Sequence, residues 1–189
     1  MRTLWLIAAA LLLAACNTQN ASSPTGNVNM ALPIFQSAIL PDLGPAPELT
    51  NKVWLNTTAP LKLADLHGKV VGLEMWTFAC INCQHVMPHL KSWYAAYKDQ
   101  GFLIIGNHYP EFSEEADLAN LKSAVSRDGI EYPVAQDNDG ETWNAYHNNY
   151  WPALYLIDKR GHIRYVHFGE GAYDEIENNI KTLLAEAYP

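Results

Sequence analysis

Two cysteines separated by two residues constrain this chain more than any other feature of its sequence. Cys80 and Cys83 lie within the stretch 76–88, which reads WTFACINCQHVMP. The residues before it, 70–76, form an apolar run of strand length, and the residues after it repeat apolar side chains at three- and four-residue steps, which indicates a helix. The pair is therefore predicted at the junction of a strand and a helix.

A strand-to-helix junction changes the chemistry of the first cysteine. Free backbone N–H groups and the positive end of the helix dipole favour a thiolate over a thiol at Cys80. One helical turn also brings the sulfur of Cys83 within reach, so that the two residues can close a small disulfide ring. The sequence therefore predicts dithiol–disulfide exchange at this pair.

Two other uses of a close cysteine pair stay open, an inert structural disulfide and a metal site. A four-thiolate zinc site would need a second cysteine pair, whereas Cys16 is the remaining cysteine of three. A smaller set would add His85 and His89, which have i, i+4 spacing on the predicted helix, to Cys80 and Cys83 in a Cu(I) or Zn site. A copper-binding, chaperone-like protein is thus an alternative, unless both histidines are ordinary polar positions of an amphipathic helix.

A thiol peroxidase is a further alternative. Residues 77–80 read TFAC, and peroxiredoxins use the spacing Thr-x-x-Cys to activate peroxide. Those enzymes place proline four residues before the threonine, where this chain has Leu73. A protein that only binds is the remaining class, and it predicts that serine in place of either cysteine leaves function intact.

The first sixteen residues resemble a bacterial lipoprotein signal. Arg2 supplies a positive charge, residues 4–15 form an apolar core too short to span a bilayer, and the segment ends in Leu-Ala-Ala before Cys16. In signals of this kind the cysteine becomes the lipidated first residue of the mature protein. We therefore expect a signal peptide at 1–15, lipidation at Cys16, and export to the periplasm or the outer cell surface. An ordinary secretory peptide is the alternative.

The rest of the chain divides into a tether and one domain. Residues 16–47 are predicted to be the lipidated cysteine and a flexible tether, because 17–30 consist mainly of Asn, Gln, Ser, Thr, Pro and Gly. Residues 48–189 are enough for one domain with a buried core. The formal net charge is −8 and the basic residues do not cluster, which argues against nucleic acid as a partner.

Strand and helix patterns alternate along the domain. The predicted strands are 53–55, 61–63, 70–76, 102–106, 134–135, 150–158 and 163–168. The predicted helices are 80 to about 99, a helix that begins at Ser113, about 141–147, and about 173–187. This order predicts an α/β fold in which a mixed sheet has helices on both faces and an N-terminal strand or hairpin extension.

The cysteine motif at the head of a helix, with x-Pro at Pro152 before a later strand, resembles the thioredoxin fold over about residues 48–187. The run LHGKVV at 66–71 is similar to the exported TlpA/ResA-like branch of that superfamily. Within the branch, the motif itself and the runs WY, YKD and FGEG at 93–94, 97–99 and 168–171 resemble DipZ-type proteins. Those proteins fuse such a domain to a membrane electron conduit.

The resemblance implies roles for individual residues. Cys80 would attack a partner disulfide, and Cys83 would resolve the mixed disulfide. Pro152 would be a cis-proline that faces the pair, and Glu74 would occupy the place of a buried acid that relays a proton to the resolving cysteine. The chain departs from the pattern twice, since Glu74 replaces the commoner aspartate and Val86 stands where ResA-like reductases have glutamate.

The resemblance also implies a function and partners. Ile81 and Asn82, between the two cysteines, offer no cation, which favours a reductase over an oxidase. Such a reductase would act on exported proteins, for example apocytochromes c before haem attachment, with no cofactor other than its own Cys80–Cys83 disulfide. It would take electrons from a membrane donor of the CcdA/DsbD kind, and we expect a monomer.

Residues near the predicted site supply candidate contacts. Family geometry predicts an apolar docking surface around the cysteines from three aromatic residues, Trp76, Trp151 and Phe168. A place in the core is the alternative for each of the three. Three more side chains follow the second parallel strand, at the sheet edge where α/β folds keep their chemistry, and either line the groove or are ordinary loop residues: His108, Tyr109 and Glu111.

Overall fold

The computed structural model describes residues 39–188. The predicted signal peptide 1–15, the predicted lipidation site Cys16 and most of the predicted tether lie outside these residues. In the described part of the chain, no helix is both long enough and apolar enough to cross a membrane.

Strands and helices alternate along the described residues as the sequence predicts. The strands are β1 (Val53–Leu55), β2 (Val70–Trp76), β3 (Phe102–His108), β4 (Val134–Gln136), β5 (Ala153–Ile157) and β6 (Ile163–Phe168). The α-helices are α1 (Ile81–Tyr97), α2 (Leu118–Arg127), α3 (Glu141–Ala145) and α4 (Tyr173–Ala185). Short 3₁₀ helices span Leu63–Leu66, Lys98–Gln100 and Ser113–Ala116.

The strands form one mixed sheet in the order β1-β4-β3-β2-β5-β6. The strand β2 is parallel to β3 and antiparallel to β5, while β3 is parallel to β4. Side chains of α1, α2 and α4 pack in one hydrophobic cluster, and side chains of α3 pack in a second cluster on the other face of the sheet. The predicted α/β architecture, with helices on both faces, is confirmed.

The central strand β2 explains why the apolar run before the cysteines is nearly continuous. All of its residues from Val70 to Trp76 are buried, because neighbours pair on both edges and helices or loops cover both faces. Gly106 on β3 leaves room for its neighbour, since a Cβ atom there would lie 2.8 Å from Nε1 of Trp76. The strand is therefore a rigid base for the cysteine motif.

One strand predicted before β2 is wrong. Residues 61–63 form no hairpin with β1, and the chain instead enters the 3₁₀ helix Leu63–Leu66. The Glu48 carboxylate accepts hydrogen bonds from the N–H groups of Leu63 and Ala64, which satisfies donors at the start of that helix. The strand β1 pairs with the distant β4, so the N-terminal extension is a strand without a hairpin partner.

The helix predicted to begin at Ser113 begins later. Ser113–Ala116 is a separate 3₁₀ turn, and α2 begins at Leu118 after the N-cap residue Asp117. The Asp117 carboxylate accepts hydrogen bonds from the N–H groups of the second and third helical residues, which stabilises this later start. Glu115 therefore lies in the preceding turn, where its side chain is buried.

The predicted boundary between tether and domain at residue 48 is wrong, because the folded part begins earlier. Leu43 donates its N–H to the carbonyl of Ile163 at 2.9 Å, and Ile163 donates its N–H to the carbonyl of Gly44 at 2.9 Å. The buried Arg164 guanidinium also donates to the carbonyls of Leu40 and Pro41. The strand β6 lies at the edge of the sheet, so the backbone groups on its outer side need partners. The proline-rich segment before residue 48 has no strand or helix pattern of its own, and it is held against the domain because it supplies those partners.

Candidate active site

Both cysteines lie where β2 gives way to α1. Cys80 is the N-cap residue of α1, and its sulfur accepts a hydrogen bond from the N–H of Cys83 at 3.3 Å. Cys83 is fully buried and Cys80 is partly exposed, and both are free thiols. The pair thus lies at the strand-to-helix junction that the sequence predicts.

The environments of the two sulfurs differ in a way that separates their roles. Cys80 can be reached from solvent, and its sulfur caps the start of a 17-residue helix by accepting the N–H of Cys83. Burial, and secondly the nearby Glu74 carboxylate, raise the pKa of the Cys83 thiol. Because Cys83 keeps its proton, an encounter with a disulfide begins at Cys80 and needs a proton acceptor before Cys83 can react.

Glu74 provides a candidate acceptor. It lies in the middle of β2 with 1% of its surface exposed, and its Oε2 accepts a hydrogen bond of 3.4 Å from the Tyr132 hydroxyl. Its Oε1 has no hydrogen-bond partner among the described residues. Burial raises the pKa of Glu74 to about 8. A buried carboxyl that titrates near neutral pH and is close enough to Cys83 to affect its pKa can take up or return that proton.

Pro152 lies beside the cysteine turn. The Trp151–Pro152 peptide bond is cis, and the antiparallel register pairs Met75 of β2 with Ala153 of β5. The register places Pro152 next to the end of β2, from which the cysteine loop departs. The Pro152 carbonyl accepts a hydrogen bond of 2.8 Å from the N–H of Gly169, which holds the loop after β6 in the same region.

The three predicted docking residues differ in accessibility. Phe168 is 50% exposed, and Trp151 is half-buried with its ring stacked on Tyr109 at 5.8 Å. Trp76 is fully buried beside Gly106, with its ring edge-on to His108. A side chain without accessible surface cannot contact a partner, so the prediction that Trp76 belongs to the docking surface is wrong.

Exposed apolar side chains that sequence reasoning missed add to this region. Ile81 follows Cys80 directly and is 59% exposed, and the ring of the exposed Tyr150 lies 5.2 Å from that of Phe168. In the sequence, only the positions of these residues indicate a place near the site, since Ile81 adjoins the motif and Tyr150 precedes the cis-proline loop.

The candidate metal ligands do not converge. His85 contacts the Glu170 carboxylate at 3.2 Å, and His89 stacks on the ring of Tyr173 with 3.6 Å between centroids. Across residues 39–188, no three side chains of His, Cys, Asp or Glu are placed to share a metal ion. The predicted set of the two cysteines with both histidines is therefore not assembled.

A buried polar cluster beneath the cysteine loop was not predicted. The Thr77 hydroxyl donates to the Glu115 carboxylate and lies 3.3 Å from Nε2 of His108, and all three side chains are buried. Thr77 is thus engaged in the interior, which argues against its use for peroxide at Cys80. The sequence analysis singled out Thr77 for the peroxidase spacing and His108 as a candidate groove residue, and it assigned no role to Glu115.

Comparison with known proteins gives four informative similarities. Residues 44–166 match the family model described as the AhpC/TSA family. The chain is 45% identical over 156 residues to Protein DipZ of Mycobacterium tuberculosis (strain CDC 1551 / Oshkosh), with 81% of this chain and 22% of DipZ covered. The chain thus spans about a fifth of the length of that relative.

A relative of similar length and a solved structure extend the comparison. The chain is 30% identical over 144 residues to the thiol-disulfide oxidoreductase YkuV of Bacillus subtilis (strain 168), with 75% of this chain and 95% of that protein covered. The crystal structure of the thioredoxin-like superfamily protein SPOA0173 superposes with a TM-score of 0.72 at 33% identity, and covers 77% of this chain and 99% of that one.

Proposed function

Since the chain belongs to the AhpC/TSA family and has the thioredoxin-like fold, we propose that it is an exported reductase of protein disulfides that acts through Cys80 and Cys83. The relative YkuV carries the name thiol-disulfide oxidoreductase. The observation that supports the assignment of roles is the asymmetry of the pair, with a partly exposed cysteine at the start of α1 and a buried, protonated one a turn later.

The reaction has two exchange steps. The Cys80 thiolate attacks one sulfur of a partner disulfide, and the other sulfur of the partner leaves as a thiolate, so that a mixed disulfide forms. Cys83 then gives its proton to Glu74 and attacks the Cys80 sulfur. The second partner sulfur leaves and takes up a proton, which returns a reduced dithiol to the partner and leaves the Cys80–Cys83 disulfide. Two electrons have passed to the partner.

The proposed direction of electron flow is based on the residues between the two cysteines. The two residues between the cysteines, Ile81 and Asn82, bring no positive charge to the thiolate. A pair whose thiolate is weakly stabilised is a better reductant, because stabilising the reduced form is what makes an oxidant. Disulfides of exported proteins are the proposed substrates, with apocytochromes c before haem attachment as the proposed specific case.

Electrons must be replaced after each turnover, so the proposal includes a donor. An exported reductase faces an oxidising compartment, and its disulfide has to be reduced again from the cytoplasmic side. We assign this role to a membrane electron donor of the CcdA/DsbD kind.

Membrane attachment through Cys16 is the remaining part of the proposal. The support is the sequence, in which a short apolar core ends in Leu-Ala-Ala-Cys and an uncharged polar stretch follows. Cells that express the chain are expected to incorporate labelled fatty acid into it, and Cys16→Ala is expected to abolish the label. Label that survives the substitution would contradict the anchor without affecting the redox assignment.

The reduction potential of the purified protein tests the proposed direction. Equilibration with glutathione buffers is expected to give a potential at or below about −250 mV, in the range of thioredoxin rather than of the strong oxidant DsbA. The double variant Cys80→Ser/Cys83→Ser supplies the baseline, because it has no pair to titrate. A potential near about −120 mV would identify an oxidant and overturn the proposal.

A further inference from the structure

Glu115 holds the loop that leads into Cys80. Its Oε1 accepts a hydrogen bond from the Thr77 hydroxyl and another from the Ala79 N–H at 2.8 Å. Ala79 is the residue directly before Cys80, so the carboxylate contacts the backbone one residue from the attacking cysteine. Glu115 itself is 1% exposed.

The second oxygen of Glu115 ties this contact to a different part of the chain. Its Oε2 accepts hydrogen bonds from the N–H groups of Glu111 and Phe112 at 2.8 and 3.0 Å. One side chain therefore joins the end of β2 to the turn that follows β3. A buried carboxylate with four donors is satisfied, and it fixes the segments that supply those donors relative to each other.

The carboxylate is charged at neutral pH. Burial by itself would raise the pKa of Glu115, but the hydrogen bonds from Thr77, Ala79, Phe112 and Glu111 lower it overall. None of the ion pairs formed by residues 39–188 includes Glu115. The loop before the attacking cysteine therefore rests on a negative charge without a cationic partner.

His108 does not neutralise that charge. Because the Thr77 hydroxyl gives its only proton to Glu115, the 3.3 Å contact between Thr77 and His108 requires a proton on Nε2 of His108. Burial lowers the pKa of His108 to about 4, and its Nδ1 has no hydrogen-bond partner in the described part of the chain. The imidazole is therefore neutral, and it orients Thr77 toward Glu115.

We propose that Glu115 is a positioning residue that sets the redox properties of the Cys80–Cys83 pair. It fixes Thr77 and Ala79, so that Cys80 stays at the start of α1. Its negative charge, held against the Ala79 N–H, opposes negative charge on the reduced pair, and it engages two donors of the loop before Cys80, the Thr77 hydroxyl and the Ala79 N–H. Both effects destabilise the reduced form, so the pair becomes a stronger reductant. This proposal rests on the proposed function only for the direction in which the pair passes electrons in the cell.

The equilibrium with glutathione tests the electrostatic part. In that reaction one protein disulfide and two glutathione thiols give one protein dithiol and one glutathione disulfide. Glu115→Gln keeps the size of the side chain and removes its charge, and it is expected to shift the equilibrium about tenfold toward the dithiol, or about 30 mV. Glu114→Gln is the matched control, because it removes an exposed charge from the same turn, and its constant is expected to match the wild type.

Hydrogen exchange tests the mechanical part with a gentler variant. Thr77→Val keeps the branched shape and the charge of Glu115 but removes one bond to the loop. The Ala79 amide is expected to exchange at least about tenfold faster, while the glutathione equilibrium stays within about twofold of the wild type. Should Glu115→Gln fail to fold, this measurement still decides, because an unchanged Ala79 exchange rate would overturn the proposal.

The outcomes that would overturn the role of Glu115 differ from those that would overturn the proposed function. A folded Glu115→Gln protein with the wild-type equilibrium constant would overturn the role of Glu115, as would a Thr77→Val protein that shifts as far as Glu115→Gln. An oxidising wild-type potential would instead overturn the proposed direction and leave the difference between variants meaningful, since the comparison needs only a pair that can form its disulfide.

Discussion

Replacing Cys83 by serine is expected to stop turnover and to leave the partner covalently attached to Cys80. The partly exposed cysteine at the N-cap of α1 can still attack, but no second thiol remains to release the partner. Turnover is expected to fall by at least about 10³-fold, the scale seen when a covalent catalytic group is removed. Non-reducing gels of the reaction with a disulfide-containing protein would show the adduct.

The complementary variant is expected to form no covalent intermediate. Cys80→Ser is expected to lose turnover equally but to form no adduct, because Cys83 is buried and keeps its proton. Cys16→Ala, which removes a cysteine outside the pair, is the control and is expected to keep the wild-type rate in solution. Adduct formation by Cys80→Ser, or full turnover by Cys83→Ser, would show that the roles are assigned wrongly.

Glu74 is expected to make the stability of the fold depend strongly on pH. In the unfolded chain its carboxyl ionises above about pH 4.5, whereas in the folded protein burial raises its pKa to about 8. Between these values the folded state binds one more proton, so the free energy of unfolding falls as pH rises. The loss is about 1.4 kcal/mol for each pH unit and about 5 kcal/mol across the whole window.

Glu74→Gln removes the titrating group and keeps its shape. Denaturant unfolding at several pH values is expected to show a shallower slope between about pH 4.5 and 8, with the variant more stable than the wild type at the upper end. Glu131→Gln, which removes an exposed acid beside Tyr132, is expected to keep the wild-type slope. A Glu74→Gln protein with an unchanged slope would contradict the shifted pKa.

The same variant separates stability from catalysis. If Glu74 takes the proton of Cys83, Glu74→Gln is expected to slow resolution of the mixed disulfide by about 10²-fold or more while the first attack by Cys80 keeps its rate. Rapid-quench measurements would then show transient accumulation of the adduct that Cys83→Ser traps permanently. Equal rates of both steps in wild type and variant would mean that Glu74 has no part in the proton transfer.

The central elements could be predicted because their signals are local. The strands β2 and β3 are buried along nearly their whole length, so they appear as apolar runs, and α1 follows from its spacing of apolar residues. Because the cysteine motif lies between these two elements in the sequence, its position at their junction follows directly. The elements that were missed depend on partners that are distant in sequence.

Three errors show how distant partners decide local structure. Residues 61–63 have the alternation of a strand, but Glu48 provides the acceptor that stabilises a 3₁₀ helix there. Residues 40–46 look like a linker, yet Arg164 and the edge of β6 hold them against the domain. Trp76 adjoins the motif and was expected at the surface, but Gly106 opens a space for it in the core.

The candidate site shows the same limit. The spacing of Cys80 and Cys83 predicts dithiol chemistry, whereas the separate roles of the two cysteines and of Glu74 are what the resemblance to the thioredoxin fold implies. Glu115 carries no such signal, because an acid near the start of a helix is usually solvated. Its burial depends on donors from the end of β2, which lie 36 and 38 residues away in the chain.

Alkylation of the reduced, native protein tests the asymmetry of the two sulfurs most directly. A short pulse of iodoacetamide at neutral pH, followed by peptide mass spectrometry, is expected to modify Cys80 and to leave Cys83 unmodified until the chain is unfolded. Modification of Cys83 at a rate equal to or above that of Cys80 would contradict the account, because the buried thiol would then be the reactive one.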